Sequence, residues 1–165
     1  MNPEKCLLEA CQLGNLQLVR EAIDAGANNC NCGLGTAAEA GHMDVVKLIL
    51  QTNANYSNWG LVRASSGGHI DIARFLIKQG ANAYDWALNE AAYAGHMDIV
   101  KLMFEKGAKE YDVALKFAAW QGHIDIVELM LQVGANNYME AINITRYKDI
   151  RQLLEIYKQG KIKLD

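Results

Sequence analysis

The chain has 165 residues, 51% of them apolar, and a formal charge of −3. This length suits a single domain with a sizeable core, and the slight acidity removes any general pull toward nucleic acid. No apolar run approaches the roughly 20 residues needed to span a bilayer.

The first predicted element is a helix start at Asn2-Pro3-Glu4, with Asn as N-cap, Pro at the first helical position and Glu in the first turn. Starting this close to Met1, the array is expected to leave no room for a signal peptide. Gly14-Asn15 then opens a series that continues at one constant spacing as Gly41-His42, Gly68-His69, Gly95-His96 and Gly122-His123. A fixed period in this range marks a stacked repeat array. Other columns keep the same register: Asp44, Asp71, Asp98 and Asp125; Leu34, Leu61, Leu88 and Leu115; Ala37, Ala64, Ala91 and Ala118. Gly26, Gly80, Gly107 and Gly134 form another column, with Asn53 in the second copy, followed by Ala27, Ala54, Ala81, Ala108 and Ala135.

Within one copy, Asn31, Asn58, Asp85 and Asp112 each precede an apolar run and are expected to be N-caps. A first helix of roughly 9 residues should follow, with a small-residue face, and end at a left-handed glycine such as Gly95. A second, largely apolar helix is expected from about Met97 to Lys106, its Asp98 at the positive end of the helix dipole. Gly107 and a four-residue turn close the unit. The last copy, from about Asn137, lacks the Gly-His pair, is about three residues shorter before Asp149-Ile150, and exchanges apolar for polar residues. Terminal repeats need such a wet face for solubility. The expectation is one array of six repeats and about twelve helices without strands: 1–28, 29–55, 56–82, 83–109, 110–136 and 137–165.

Ala91-Ala92-Tyr93-Ala94-Gly95-His96-Met97-Asp98-Ile99-Val100-Lys101-Leu102, with Gly80-Ala81-Asn82, closely resembles the ankyrin repeat. The period is about six residues shorter than the roughly 33 of that family, and the Thr-Pro-Leu-His opening is replaced by Trp86-Ala87-Leu88-Asn89. The resemblance implies an all-α, ankyrin-like solenoid whose β-hairpins are reduced to short loops. It implies a non-catalytic protein–protein scaffold, binding its partner on the concave face of the first helices. Arrays of such short repeats are similar to those encoded by giant DNA viruses and amoeba-associated bacteria, which implies a cytoplasmic site of action, host cytoplasm included.

No constellation for catalysis or cofactor binding stands out, and neither an enzyme nor a cofactor is expected. Cys6, Cys11, Cys30 and Cys32 do not match paired zinc spacing. Cys6 and Cys11 fall in small-residue packing columns, so reduced structural thiols are expected. The four histidines share one repeat position, so neighbouring copies are too far apart to hold one ion. Ser65 falls in the column of Ala38, Ala92 and Ala119. From Ala141 onward the chain is basic, with six Lys/Arg against three acids. A solvated capping helix is the expectation there.

Columns that hold steady build the fold, whereas columns that wander are free to serve function. One wandering column reads Thr36, Arg63, Glu90, Phe117 and Ile144; the next reads Glu39, Ser66, Tyr93, Trp120 and Tyr147; a third ends in Gln121 and Lys148. Arg63, Glu90, Tyr93, Phe117, Trp120, Gln121 and Tyr147 are therefore the candidate partner-binding residues, with Tyr93, Trp120 and Tyr147 as a ladder. Large aromatics with a polar rim are the composition of an interface core. The alternative is that some of them fill gaps left by the missing hairpins. A monomer binding a protein partner is expected, and a self-associating element is the competing reading.

Overall fold

The structure is a computed structural model that describes residues 2–52 and 56–160. Asn53 and Ala54 of the glycine and alanine columns lie outside the described residues, as do Lys161, Lys163 and Asp165 of the basic stretch. The described residues form twelve α-helices and no strand. They divide into two compact units, Met1–Ala83 and Tyr84–Asp165, each holding six helices. The first unit contains α1 (Pro3–Leu13), α2 (Leu16–Asp24), α3 (Cys30–Ala40), α4 (Met43–Thr52), α5 (Ser57–Gly67) and α6 (Ile70–Lys78). The second contains α7 (Tyr84–Ala94), α8 (Met97–Glu105), α9 (Tyr111–Gln121), α10 (Ile124–Gln132), α11 (Tyr138–Ile144) and α12 (Lys148–Lys158).

Within each unit the first helices of successive repeats pack against each other far more extensively than the second helices do. The small-residue columns explain this. Ala37, Ala38, Ala64, Ala91, Ala92, Ala118 and Ala119 are all fully buried, and with a single methyl group they let backbones approach closely. Leu34, Leu61, Leu88 and Leu115 fill the space beside them at zero exposure. Each such leucine stabilises the fold by about 1.5–3 kcal/mol relative to exposure. The second helices contribute Ile99, Val100, Leu102 and Met103, buried to within 1% in the fourth repeat.

The first helices have 11 residues in five of the six repeats, longer than the roughly 9 expected. The extra residues lie at the N-terminal end, and they change the role of one column. Asn31, Asn58, Asp85 and Asp112 are not N-caps, because α3, α5, α7 and α9 each begin one residue earlier. Three of these side chains instead reach the loop that closes the same repeat. Asn58 Oδ1 accepts from the backbone N–H groups of Asn82 (2.6 Å) and Ala83 (3.1 Å). Asp85 Oδ1 accepts from Lys109 (2.5 Å) and Glu110 (3.0 Å), and Asp112 Oδ1 from Asn136 (2.7 Å) and Asn137 (2.9 Å). Glu4 serves the first repeat with both carboxylate oxygens, at 2.8 Å from Asn28 N and 3.1 Å from Asn29 N. For Asn31 the corresponding loop includes Asn55, which lies outside the described residues. A short loop without strand partners leaves backbone donors to be satisfied, and this column supplies the acceptor.

The histidine column makes the second recurring bond. Nε2 of His42, His69 and His123 each lies 3.0 Å from a carbonyl in the last turn of the preceding first helix, those of Gln12, Glu39 and Tyr93. A carbonyl only accepts, so Nε2 donates. The imidazoles sit over Gly14, Gly41 and Gly95, where an added Cβ would come within 2.5–2.6 Å of the ring. Glycine there both adopts the left-handed turn (φ 67 to 87°) and makes room for the ring.

Replacing Asp112 by Ala should lower unfolding free energy by about 1–2 kcal/mol, since two loop N–H groups lose a charged acceptor. Asp112→Asn should cost less than half as much, because Asn58 performs the same task with an amide. Urea denaturation of the two variants checks this.

Candidate functional site

The wandering columns meet each other with a stagger one helical turn short of the repeat period. In the first unit Arg63 on α5 pairs with Glu39 on α3, and its guanidinium also lies 5.6 Å from the centre of the Trp59 ring. Trp59 in turn rests on Gly35 of the preceding first helix, where an added Cβ would collide with the indole Nε1. Arg63 is thus already engaged on both sides, by a carboxylate and by an indole.

In the second unit the same stagger brings Phe117 on α9 against Tyr93 on α7, edge to face at 6.0 Å and 88°. The Trp120 ring meets Tyr93 at 5.7 Å and 67°. Such edge-to-face pairs contribute about 0.5–1.5 kcal/mol beyond the area they bury. The three rings therefore hold one another in place and still reach solvent, with Tyr93 37% and Trp120 41% exposed. Phe117 is half-buried, and Lys116 Nζ lies 5.6 Å from its ring centre. Lys116 is itself ion-paired with Glu140 of α11 at 2.9 Å. Glu90 is half-buried, one turn before Tyr93 on α7, and no cation pairs with its carboxylate among the described residues. Gln121 ends α9 beside Trp120. Lys116, Glu140 and Glu39 were not among the sequence candidates. Comparing columns offset by one helical turn, instead of positions a full period apart, would have found all three.

Tyr147 does not extend the ladder. Helix α11 ends at Ile144, and Tyr147 is the N-cap residue of α12. Its ring lies over Gly122, where an added Cβ would collide with it, and Arg146 lies 5.7 Å from the ring centre. The contraction of the last repeat has moved Tyr147 into the histidine column. Counting one full period forward from Trp120 ignored that contraction. Lys148 likewise starts α12 and is not on a first helix.

The cysteines sit in the first two repeats, and none forms a disulfide. Cys11 and Cys30 are buried, Cys6 is half-buried and Cys32 is exposed. Burial, and secondarily the neighbouring Cys30, push the Cys11 thiol up from about 9 to about 12. A group this reluctant to ionise is a packing residue, not a nucleophile. Ser65 is also a packing residue: it is fully buried and donates its hydroxyl to the Leu61 carbonyl at 2.8 Å.

Two outcomes follow for this region. Tyr147→His should keep stability within about 0.5 kcal/mol, because imidazole is the side chain that other repeats place over this glycine, whereas Tyr147→Ala should lose about 1–2 kcal/mol. Thermal melts of both variants test the reassignment. For Cys11, the unfolded thiol ionises near pH 9 and the folded one near 12. Its contribution is therefore complete below about pH 9 and is lost as pH rises toward 12. Wild-type protein in reductant should lose more stability between about pH 8 and pH 10.5 than Cys11→Ala does, by urea denaturation.

Comparison with family models bears on most of the chain. A model described as "Ankyrin repeats (3 copies)" matches residues 7–85, and one described as "Ankyrin repeats (many copies)" matches residues 88–131. No curated protein matches the chain. The contracted last repeat lies beyond both family matches, in keeping with its altered register. Ankyrin repeats generally mediate protein–protein interactions. Two matches covering well over half of the residues, on successive helix pairs with a recurrent Gly-His turn in each internal repeat, show that the chain belongs to the ankyrin repeat family.

Proposed function

We propose that this protein is a non-catalytic recognition module that holds a protein partner on the first-helix face of its second unit. The observation that carries the reading is the exposed cluster of Tyr93, Phe117 and Trp120 on α7 and α9. Aromatic surface left facing water is costly and usually marks a contact site. Rigid aromatic rings lose little entropy on binding and dominate interface energies. Glu90 and Gln121 supply a polar rim around them. Arg63 contributes to the first unit's architecture through Glu39 and Trp59, which leaves the second unit as the centre of recognition. No helix among the described residues is long and apolar enough to cross a membrane. Four unpaired thiols suit a reducing compartment such as the cytoplasm.

A second reading rests on a separate observation. The first repeat leaves Leu13 72% and Leu18 44% exposed beside an apolar depression of about 270 Å³ between α1 and α2. Self-association through that repeat is the competing function. Sedimentation at several concentrations separates the two, since Leu13→Glu would abolish a dimer built there and leave the aromatic face untouched.

Trp120→Ala should weaken partner binding by about 2 kcal/mol or more, as central aromatic anchors do. Its melting temperature should fall by only a few degrees, because the ring is exposed and its loss opens no internal cavity. Calorimetric binding to the partner recovered from the native host, beside a thermal melt, reads both. A large loss of stability with unchanged affinity per folded molecule would return the ring to the role of gap filler.

A further inference from the structure

The first unit contains a three-part clamp: the Glu39 carboxylate, the Arg63 guanidinium paired to it, and the Trp59 ring 5.6 Å from that guanidinium. Around Glu90, Tyr93 and Trp120 the second unit presents two of these parts without the third. Trp120 and Tyr93 offer exposed rings 5.7 Å apart, and Glu90 lies one turn from Tyr93 on the same helix. By the repeat period, Glu90 stands to Phe117 as Tyr93 stands to Trp120, so carboxylate and rings share one surface. No cation of the described chain serves Glu90, and Lys116 is taken by Glu140 at 2.9 Å.

We infer that this surface receives an arginine side chain from a basic segment of the partner, supplying from outside the cation that Arg63 supplies within the first unit. The inference rests on the docking role proposed above and names its chemistry. Trp is the strongest aromatic acceptor for a cation, and guanidinium stacks on a ring while donating to a carboxylate in its own plane. Each contribution is modest when exposed to water, so the two together set specificity more than affinity.

The test uses the full-length protein and a fluorescein-labelled peptide of alternating arginine and leucine, compared with the same peptide carrying citrulline, the neutral isostere of arginine. Fluorescence anisotropy should show the arginine peptide binding about tenfold more tightly. Glu90→Gln should remove most of that preference without altering the thermal melt, and Trp120→Ala should abolish binding of both peptides. Glu128→Gln, on the exposed side of α10, should change neither. A lysine version should bind, but more weakly than arginine. The inference is overturned if citrulline and arginine bind equally, if Glu90→Gln keeps the preference, if Glu128→Gln removes it as well, or if no peptide binds. If both peptides bind equally and Trp120→Ala still abolishes binding, the docking surface stands and its cationic ligand does not.

Discussion

Among the described residues, the loops that close the first, third, fourth and fifth repeats are too short to form strands, and their backbone donors have to be satisfied. In the third, fourth and fifth repeats a single side-chain oxygen near the start of the first helix satisfies them by accepting from two consecutive N–H groups 24 and 25 residues ahead, and in the first Glu4 does so with both carboxylate oxygens. The rest of the repeat depends on this. The clasp ties the loop that closes one repeat to the helix that opened it, which sets where the next first helix begins. Only with that start defined do the alanine columns of neighbouring helices fall opposite one another. An apolar residue in this column would leave two donors to water at every repeat and loosen the register of the next helix.

The histidine column performs the complementary task at the other end of the first helix. The imidazoles of His42, His69 and His123 each donate to a carbonyl that the helix itself cannot satisfy, one repeat upstream. Clasp and histidine together bracket the first helix at both termini. Neither needs a large hydrophobic surface, which is how repeats this short remain ordered units. The same bracketing explains the last repeat. Its contraction brings Tyr147 over Gly122, and an aromatic ring takes the place that imidazole holds elsewhere.

With the helix ends held by these bonds, the first-helix surface is free to vary, and it varies in coupled pairs. Glu39 with Arg63, Tyr93 with Phe117 and Lys116 with Glu140 all join positions with the same offset along the chain. That offset is one helical turn short of the repeat, whereas Tyr93 and Trp120 meet across the full period. The first unit uses the pairing to neutralise a charge. The second uses it to brace aromatic rings that remain open to solvent. One scaffold thus yields a charge-paired surface in one unit and exposed, mutually braced rings in the other.

The repeat period, the helix pairs, the glycine turns and the buried alanine and leucine columns were all legible in the amino-acid sequence. They depend on local conformational preference and burial, which repeat wherever the residue pattern repeats. The cluster of Tyr93, Phe117 and Trp120 was legible too, because each ring stands out against the smaller residues of its column. The tertiary structure alone decided three things. It moved Asn58, Asp85 and Asp112 from capping their own helices to clasping the loop ahead, since a hydrogen bond between residues so far apart in the chain has no local signature. It showed Arg63 to be engaged already, through a partner one turn away from the column in which it was read. It also removed Tyr147 from the aromatic ladder, because a contraction of the last repeat shifts every later side chain into another column. Periodicity identifies equivalent positions, whereas contact depends on the stagger between neighbouring helices, and only the folded chain contains that stagger.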